Sequence, residues 1–217
     1  MMISRTLIAA AVLLFVSCSG VYYGAMEKLG YAKRDLMVSR VKAAQKSQQQ
    51  AKQEFRSALD RFKSVVNLPG SRLEDKYSEL KKELERCEAK ADDVHQRIAA
   101  VADVSEALFD EWKSELKQYR NQALRRASER KLDQTKARYE ELMDAMRNAE
   151  SRLEPVLQPL RDNVLFLKHN LNARAVASLD AELAGVQSSV DSLVADLERS
   201  IAEADRFIGE INSNWPS

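Results

Sequence analysis

From Leu73 onward the apolar positions fall at alternating intervals of four and three: Leu73, Tyr77, Leu80, Leu84, Cys87, Ala91, Val94, Ile98 and Val101. That spacing keeps one narrow side of an α-helix apolar along its length, which is the pattern of a coiled-coil seam. Ser71-Arg72-Leu73-Glu74 has the form of a capping box, with a serine and a glutamate placed to satisfy the first free amides, so the spacing predicts a helix over 71–101. Immediately before it, Asn67-Leu68-Pro69-Gly70 reads as a stop and turn: proline cannot continue a helical ladder and glycine accepts a left-handed backbone.

An earlier helix is expected from about Val21 to Val66, with Phe55, Leu59, Phe62 and Val66 as its apolar stripe. Its glutamine-rich middle, Gln45 to Gln53, is expected to pack more loosely. Past Val101 two readings stay open. Asp103-Val104-Ser105-Glu106 is a second capping-box pattern at which the chain would fold back, whereas Leu108 and Trp112 stay in register with one continuous helix. Helical spacing then runs through Leu116, Tyr119, Ala123, Leu132, Tyr139, Leu142, Met146, Ala149 and Leu153. Pro155 and Pro159 should kink or restart it, with Leu160, Val164, Leu167 and Leu171 carrying the stripe onward. Asn170 and Asn172 offer a C-cap and an N-cap, and a last amphipathic helix carries apolar residues from Val176 to Ile211, Ile201 and Ile208 among them. Short connections make neighbouring helices antiparallel. The expected fold is therefore all-α, an elongated antiparallel bundle of three or four long helices forming one domain over 18–212, with 213–217 a frayed tail.

Composition agrees: aromatics are 6% and charged residues 31% of the chain, with only 6 Gly and 4 Pro, and no alternating apolar–polar run supports a sheet. The formal net charge of +1 gives no global basicity for binding nucleic acid, and none is expected as a partner.

One segment departs from the amphipathic pattern. Arg5 precedes an apolar run, Thr6 to Val16, that is shorter than the ~20 residues a membrane-spanning helix needs and fits a secretory signal over 1–17. Val16-Ser17-Cys18 resembles the lipobox of bacterial lipoproteins, with Phe15 where the usual motif has leucine. The resemblance implies cleavage before Cys18 and acylation of its thiol. Ser19 rather than aspartate at the next position implies delivery to the outer membrane. More than one acyl chain is required for firm attachment. Cys87 is then a lone thiol on the seam, expected to be a buried packing residue.

Charge is uneven. Basic residues dominate from Lys28 to Lys63 and again from Lys113 to Arg138, whereas acidic ones dominate from Asp180 to Glu210. The simpler account is that basic helices flank the acidic last helix and fix pairing order. The alternative is that a face containing Arg120, Arg125, Arg126, Arg130 and Lys131 contacts anionic lipid or a partner. Such a rod at a membrane would resemble the BAR-domain class of membrane-shaping proteins.

Chemistry is sparse. Glu88, Asp92 and His95 share a helix face at spacings of four and three, a pattern that a metal-dependent enzyme could use, but flanking the seam they are expected to be a solvated bundle edge instead. His169, beside Lys168, suits a helix C-terminus. No phosphate loop, zinc-type cysteine pair or nucleophile elbow occurs, so neither catalysis nor a cofactor is expected.

Two stretches carry a wider resemblance: Val21-Tyr22-Tyr23-Gly24-Ala25-Met26-Glu27-Lys28-Leu29-Gly30, and Pro155-Val156-Leu157 with Asp162 through Ala173. In these the chain resembles an uncharacterised family of helical gammaproteobacterial envelope lipoproteins, catalogued as a domain of unknown function. The resemblance implies a bacterial envelope protein with an all-helical fold and carries over no site residues. The expectation is a non-catalytic, lipid-anchored rod at the outer membrane, facing the periplasm. It would act as a spacer or scaffold, with a protein partner or a second copy bound along it.

Overall fold

The computed structural model describes residues 33–67, 73–170 and 173–214. Five helices follow in order: α1 (Lys33–Asn67), α2 (Leu73–Leu116), α3 (Gln122–Ser151), α4 (Leu153–His169) and α5 (Ala173–Asn214). No strand occurs among the described residues. The signal segment, Cys18, the turn at Pro69-Gly70, Ser71 of the capping box and Asn172 lie outside them. At 1.5 Å per residue the 44-residue α2 extends about 66 Å.

Side-chain pairs fix the direction of each helix. Between α1 and α2, Lys33 meets Glu111, Ser47 meets Asp93, Lys90 meets Gln50 and Arg61 meets Glu79, so the two run antiparallel. Trp112 meets Ser128, Phe109 meets Tyr139, and Arg161 meets Glu88, which sets α3 and α4 antiparallel to α2. Arg138 with Glu210 and Arg152 with Asp196 align α5 against α3 and the α3–α4 junction in the opposite sense. Gln45 with Asp205 and Lys52 with Glu198 close the ring from α5 back to α1. The result is a four-armed antiparallel bundle in which α3 and α4 together make one arm.

All four arms carry the same four–three spacing. In α1 it is Met37, Val41, Ala44, Gln48, Ala51, Phe55, Ala58, Phe62 and Val65, every one buried. In α2 the seam read from the sequence continues past Val101 through Ser105, Leu108 and Trp112. In α5 it passes through Val186, Val190, Leu193, Leu197, Ser200, Ala204, Phe207 and Ile211. The third arm keeps it from Leu142 through Met146, Ala149, Leu153, Val156 and Leu160, across the α3–α4 junction. A strict seven-residue repeat is the pattern that winds helices left-handedly about one another.

The junction itself is mild. Arg152 remains in right-handed helical geometry (φ −85°, ψ −15°) while its amide bonds to Ala149 O at 3.2 Å, a tighter turn than α. Helix α4 then restarts with Pro155 in its first turn, where the missing N–H has no intrahelical duty. The proline thus restarts the helix without shifting its buried face.

Several expectations change. Helix α2 passes through Asp103 unbroken, with Val104 and Ser105 buried, so the chain does not fold back there. It reverses instead at 117–121, where the sequence reading continued a helix. Lys117 N and Gln118 N close α2 with bonds to Ser114 O and Glu115 O, and Asn121 Oδ1 accepts from Ala123 N (2.9 Å) and Leu124 N (3.2 Å) to open α3. Tyr119 and Ala123 are accordingly exposed rather than on a stripe. The glutamine-rich part of α1 is not loosely packed: Ala44, Ser47, Gln48 and Ala51 are all buried, the small Ala44, Ser47 and Ala51 letting helices approach. In α5 the core takes Ser200 and Phe207 while Ile201 and Ile208 sit at its edge, because register outranks hydropathy in a narrow seam. Asn170 does close α4, its amide bonding to Leu167 O at 3.2 Å.

Candidate functional site

The antiparallel ring gives the rod two unlike ends. The proximal end gathers the start of α1, the turn between α2 and α3, and the last turns of α5. The distal end gathers the last turns of α1 and α4 and the first turns of α2 and α5.

The proximal end is built tightly. Trp112 Nε1 donates to Ser128 Oγ at 2.9 Å, Phe109 and Tyr139 meet edge to face at 5.3 Å, and Lys136 Nζ lies 5.8 Å over the Phe109 ring. Burial is the main cause that pushes the Tyr139 hydroxyl pKa up. On this base stand the basic residues singled out from the sequence. Arg125 pairs with Glu129 at 2.8 Å within α3. Lys131 lies on the rim of a groove of about 270 Å³ between α3 and α5, floored by Thr135, Phe207 and Ile211. Arg120, Arg126 and Arg130 are exposed, and so is Lys117; none of the four has a carboxylate partner among the described residues. Tyr119 and Leu124, 41% and 57% exposed, stand between them. Helix α3 also has no acidic residue in its first turn, unlike α1, α2 and α4, so these cations add to the positive end of its dipole.

Other cations of the basic stretches are engaged as the simpler charge account expects. Lys52 and Arg56 hold Glu198, and Arg138 holds Glu141 at 2.7 Å and Glu210 at 3.1 Å. Those two carboxylates, Glu141 first, raise the Arg138 pKa. The basic excess therefore divides: several side cations are paired, while Lys42 and Lys46 on α1 and the cluster of Lys117, Arg120, Arg126 and Arg130 at the proximal end have no carboxylate partner among the described residues. Sequence could mark the basic run but could not tell these apart, since the pairing partners lie on α5.

The face with Glu88, Asp92 and His95 opens onto a groove of about 400 Å³ shared with Glu150, Glu154 and Arg161. Most of its charges are already matched: Arg161 takes Glu88 at 2.6 Å and also Glu154, and His95 Nδ1 meets Glu150. Glu88 and His95 thus turn to different partners, and no group of three His, Cys, Asp or Glu side chains suited to a metal occurs among the described residues. His169 is exposed and, with Lys168, ends α4 where positive charge complements the dipole. Cys87 is fully buried. Desolvation chiefly, with Glu54 and Glu83 nearby, pushes its thiol up to about 12 and keeps it protonated.

Two buried charges went unnoticed in the sequence. Lys76 Nζ donates to Val65 O at 2.8 Å, serving the last turn of α1, which has no basic residue of its own. Glu83 is buried beside Arg86. A lysine and a glutamate at flanking helical positions give no sequence signal of burial.

No helix among the described residues is long and apolar enough to cross a membrane. Comparison with curated proteins finds no match. A family described as a protein of unknown function (DUF2959) matches residues 22–211. That match takes in α1 to α4 whole, α5 as far as residue 211 and residues 22–32 ahead of α1, and the chain belongs to the DUF2959 family.

Proposed function

We propose that this protein is a non-catalytic lipoprotein of the outer membrane, tethered through acylated Cys18 and extending into the periplasm as a helical spacer or scaffold. The observation that carries the reading is the uninterrupted seven-residue repeat in all four arms, which makes a stiff rod about 66 Å long. Its interior is filled by side chains, and in the grooves on its surface Arg138 pairs with Glu210 and Arg161 with Glu88 and Glu154. Function then resides in length and surface, with a protein partner or a second copy bound along the sides. Mass spectrometry of the mature protein from envelopes tests the tether: diacylglyceryl and acyl groups on Cys18 are expected, and an unmodified amino terminus overturns it. Crosslinking in intact envelopes followed by affinity capture tests the scaffold role; capture of neither a defined partner nor a second copy counts against it.

A further inference from the structure

We propose that the proximal end is a docking surface for the anionic headgroups of a bilayer, so that the rod stands end-on to the membrane instead of lying along it. Three independent placements converge there. Lys33 Nζ is held 2.8 Å from Glu111 Oε1, so α1 begins beside the last turns of α2. The turn that follows carries Lys117, Arg120, Arg126 and Arg130, all exposed and none with a carboxylate partner among the described residues. Tyr119 and Leu124 project among these cations, and an aromatic and an aliphatic side chain set within basic residues match the layered chemistry of a headgroup region.

Charge complementarity selects the occupant. Arginines elsewhere on the bundle are largely spent on carboxylates, as with Arg56, Arg61, Arg97, Arg152 and Arg161. A side-on contact would meet these paired arginines and only separate lysines such as Lys42, Lys46 and Lys82, whereas the proximal end gathers Lys117, Arg120, Arg126 and Arg130, without carboxylate partners among the described residues, around one turn. The orientation rests on the tether reading only for its biological setting; the surface itself is testable without an acyl chain.

The test uses the chain from residue 18 onward with Cys18→Ser, sedimented with phosphatidylcholine vesicles that contain or lack phosphatidylglycerol. Binding is expected only to the anionic vesicles and is expected to disappear near ~0.5 M sodium chloride, where the screening length is a few ångströms. Arg120→Ala/Arg126→Ala/Arg130→Ala is expected to weaken binding about a hundredfold, each cation near an anionic surface contributing about fivefold. Its thermal unfolding should match the parent, because these side chains hold no partner. A second variant, Lys42→Ala/Lys46→Ala/Lys82→Ala, removes exposed cations from the sides of α1 and α2 and is expected to bind within about twofold of the parent. Absence of binding by the parent chain overturns the proposal, and so does an equal loss in the side variant, which would mean that the rod lies flat. An unmodified Cys18 in envelopes would remove the tether while leaving the vesicle result to stand or fall by itself.

Discussion

Ser200 Oγ of α5 donates a 2.9 Å hydrogen bond to Gln48 Oε1 of α1, joining two fully buried polar side chains across the bundle core. The Gln48 Nε2 group finds no partner there. A buried amide satisfied on one side only costs stability but ties α1 to α5 at one register, as a lone polar residue does in a coiled-coil seam. Ser200→Ala should therefore cost about 1 kcal/mol by leaving the amide wholly unmatched. Gln48→Leu combined with Ser200→Ala should recover that loss or exceed the parent stability. Denaturant midpoints of the two variants and the parent check this; a double variant less stable than Ser200→Ala alone would contradict it.

Lys76 illustrates a cap supplied from a neighbouring helix. Its ammonium reaches the Val65 carbonyl, and its stem is buried against the core. Lys76→Met keeps the apolar stem and removes the donor, so it should cost about 1.5–3 kcal/mol, the range for a hydrogen bond from a charged group. Amide exchange should then quicken in the last turn of α1 before it does elsewhere.

Cys87 gives a pH prediction with a definite sign. Its thiol pKa is about 12 in the fold against 9.0 for an ordinary thiol, so above pH 9 the unfolded chain loses a proton that the folded one keeps. Its contribution to stability is complete below pH 9 and declines between pH 9 and 12, with a slope approaching about 1.4 kcal/mol per pH unit. Unfolding measured from pH 8 to 11 should show a steeper alkaline loss in the parent than in Cys87→Ala. Thiol reagents at pH 8 should leave the native protein unmodified and label it in denaturant.

Asn121 holds the only reversal between α2 and α3. Its side chain accepts from two amides, so Asn121→Ala should cost about 1 kcal/mol, and Asn121→Asp should keep the cap. Thermal melts of the pair against the parent decide it. Equal melting of Asn121→Ala and the parent would mean that packing alone sets the turn.

The contrast between α2 and α1 shows what made the fold legible. From Leu73 to Val101 nearly every seam position is a large apolar residue, so the repeat stands out without a structure. In α1 the same repeat passes through Ala44, Gln48, Ala51 and Ala58, and hydropathy alone does not separate these from a solvated face. The reversal at 117–121 was missed for a related reason. Leu116, Tyr119 and Ala123 keep helical spacing and no glycine or proline intervenes, so the one local mark was Asn121 as a cap. At the proximal end the basic composition was visible, but which cations remain available is a tertiary fact. Arg138 is neutralised by a carboxylate on α5, while Arg126, on the same helix, is not.

Four arms are an even number, and this has a topological outcome. Helix α5 returns to the level of Lys33, as the contact between Gln45 and Asp205 attests, so the described chain begins and finishes at one pole. The other pole, where α1 and α4 end and α2 and α5 begin, is borne about 66 Å away. Whatever meets that apex is held at a set standoff from the base, a distance governed by helix length and insensitive to what is appended at either terminus.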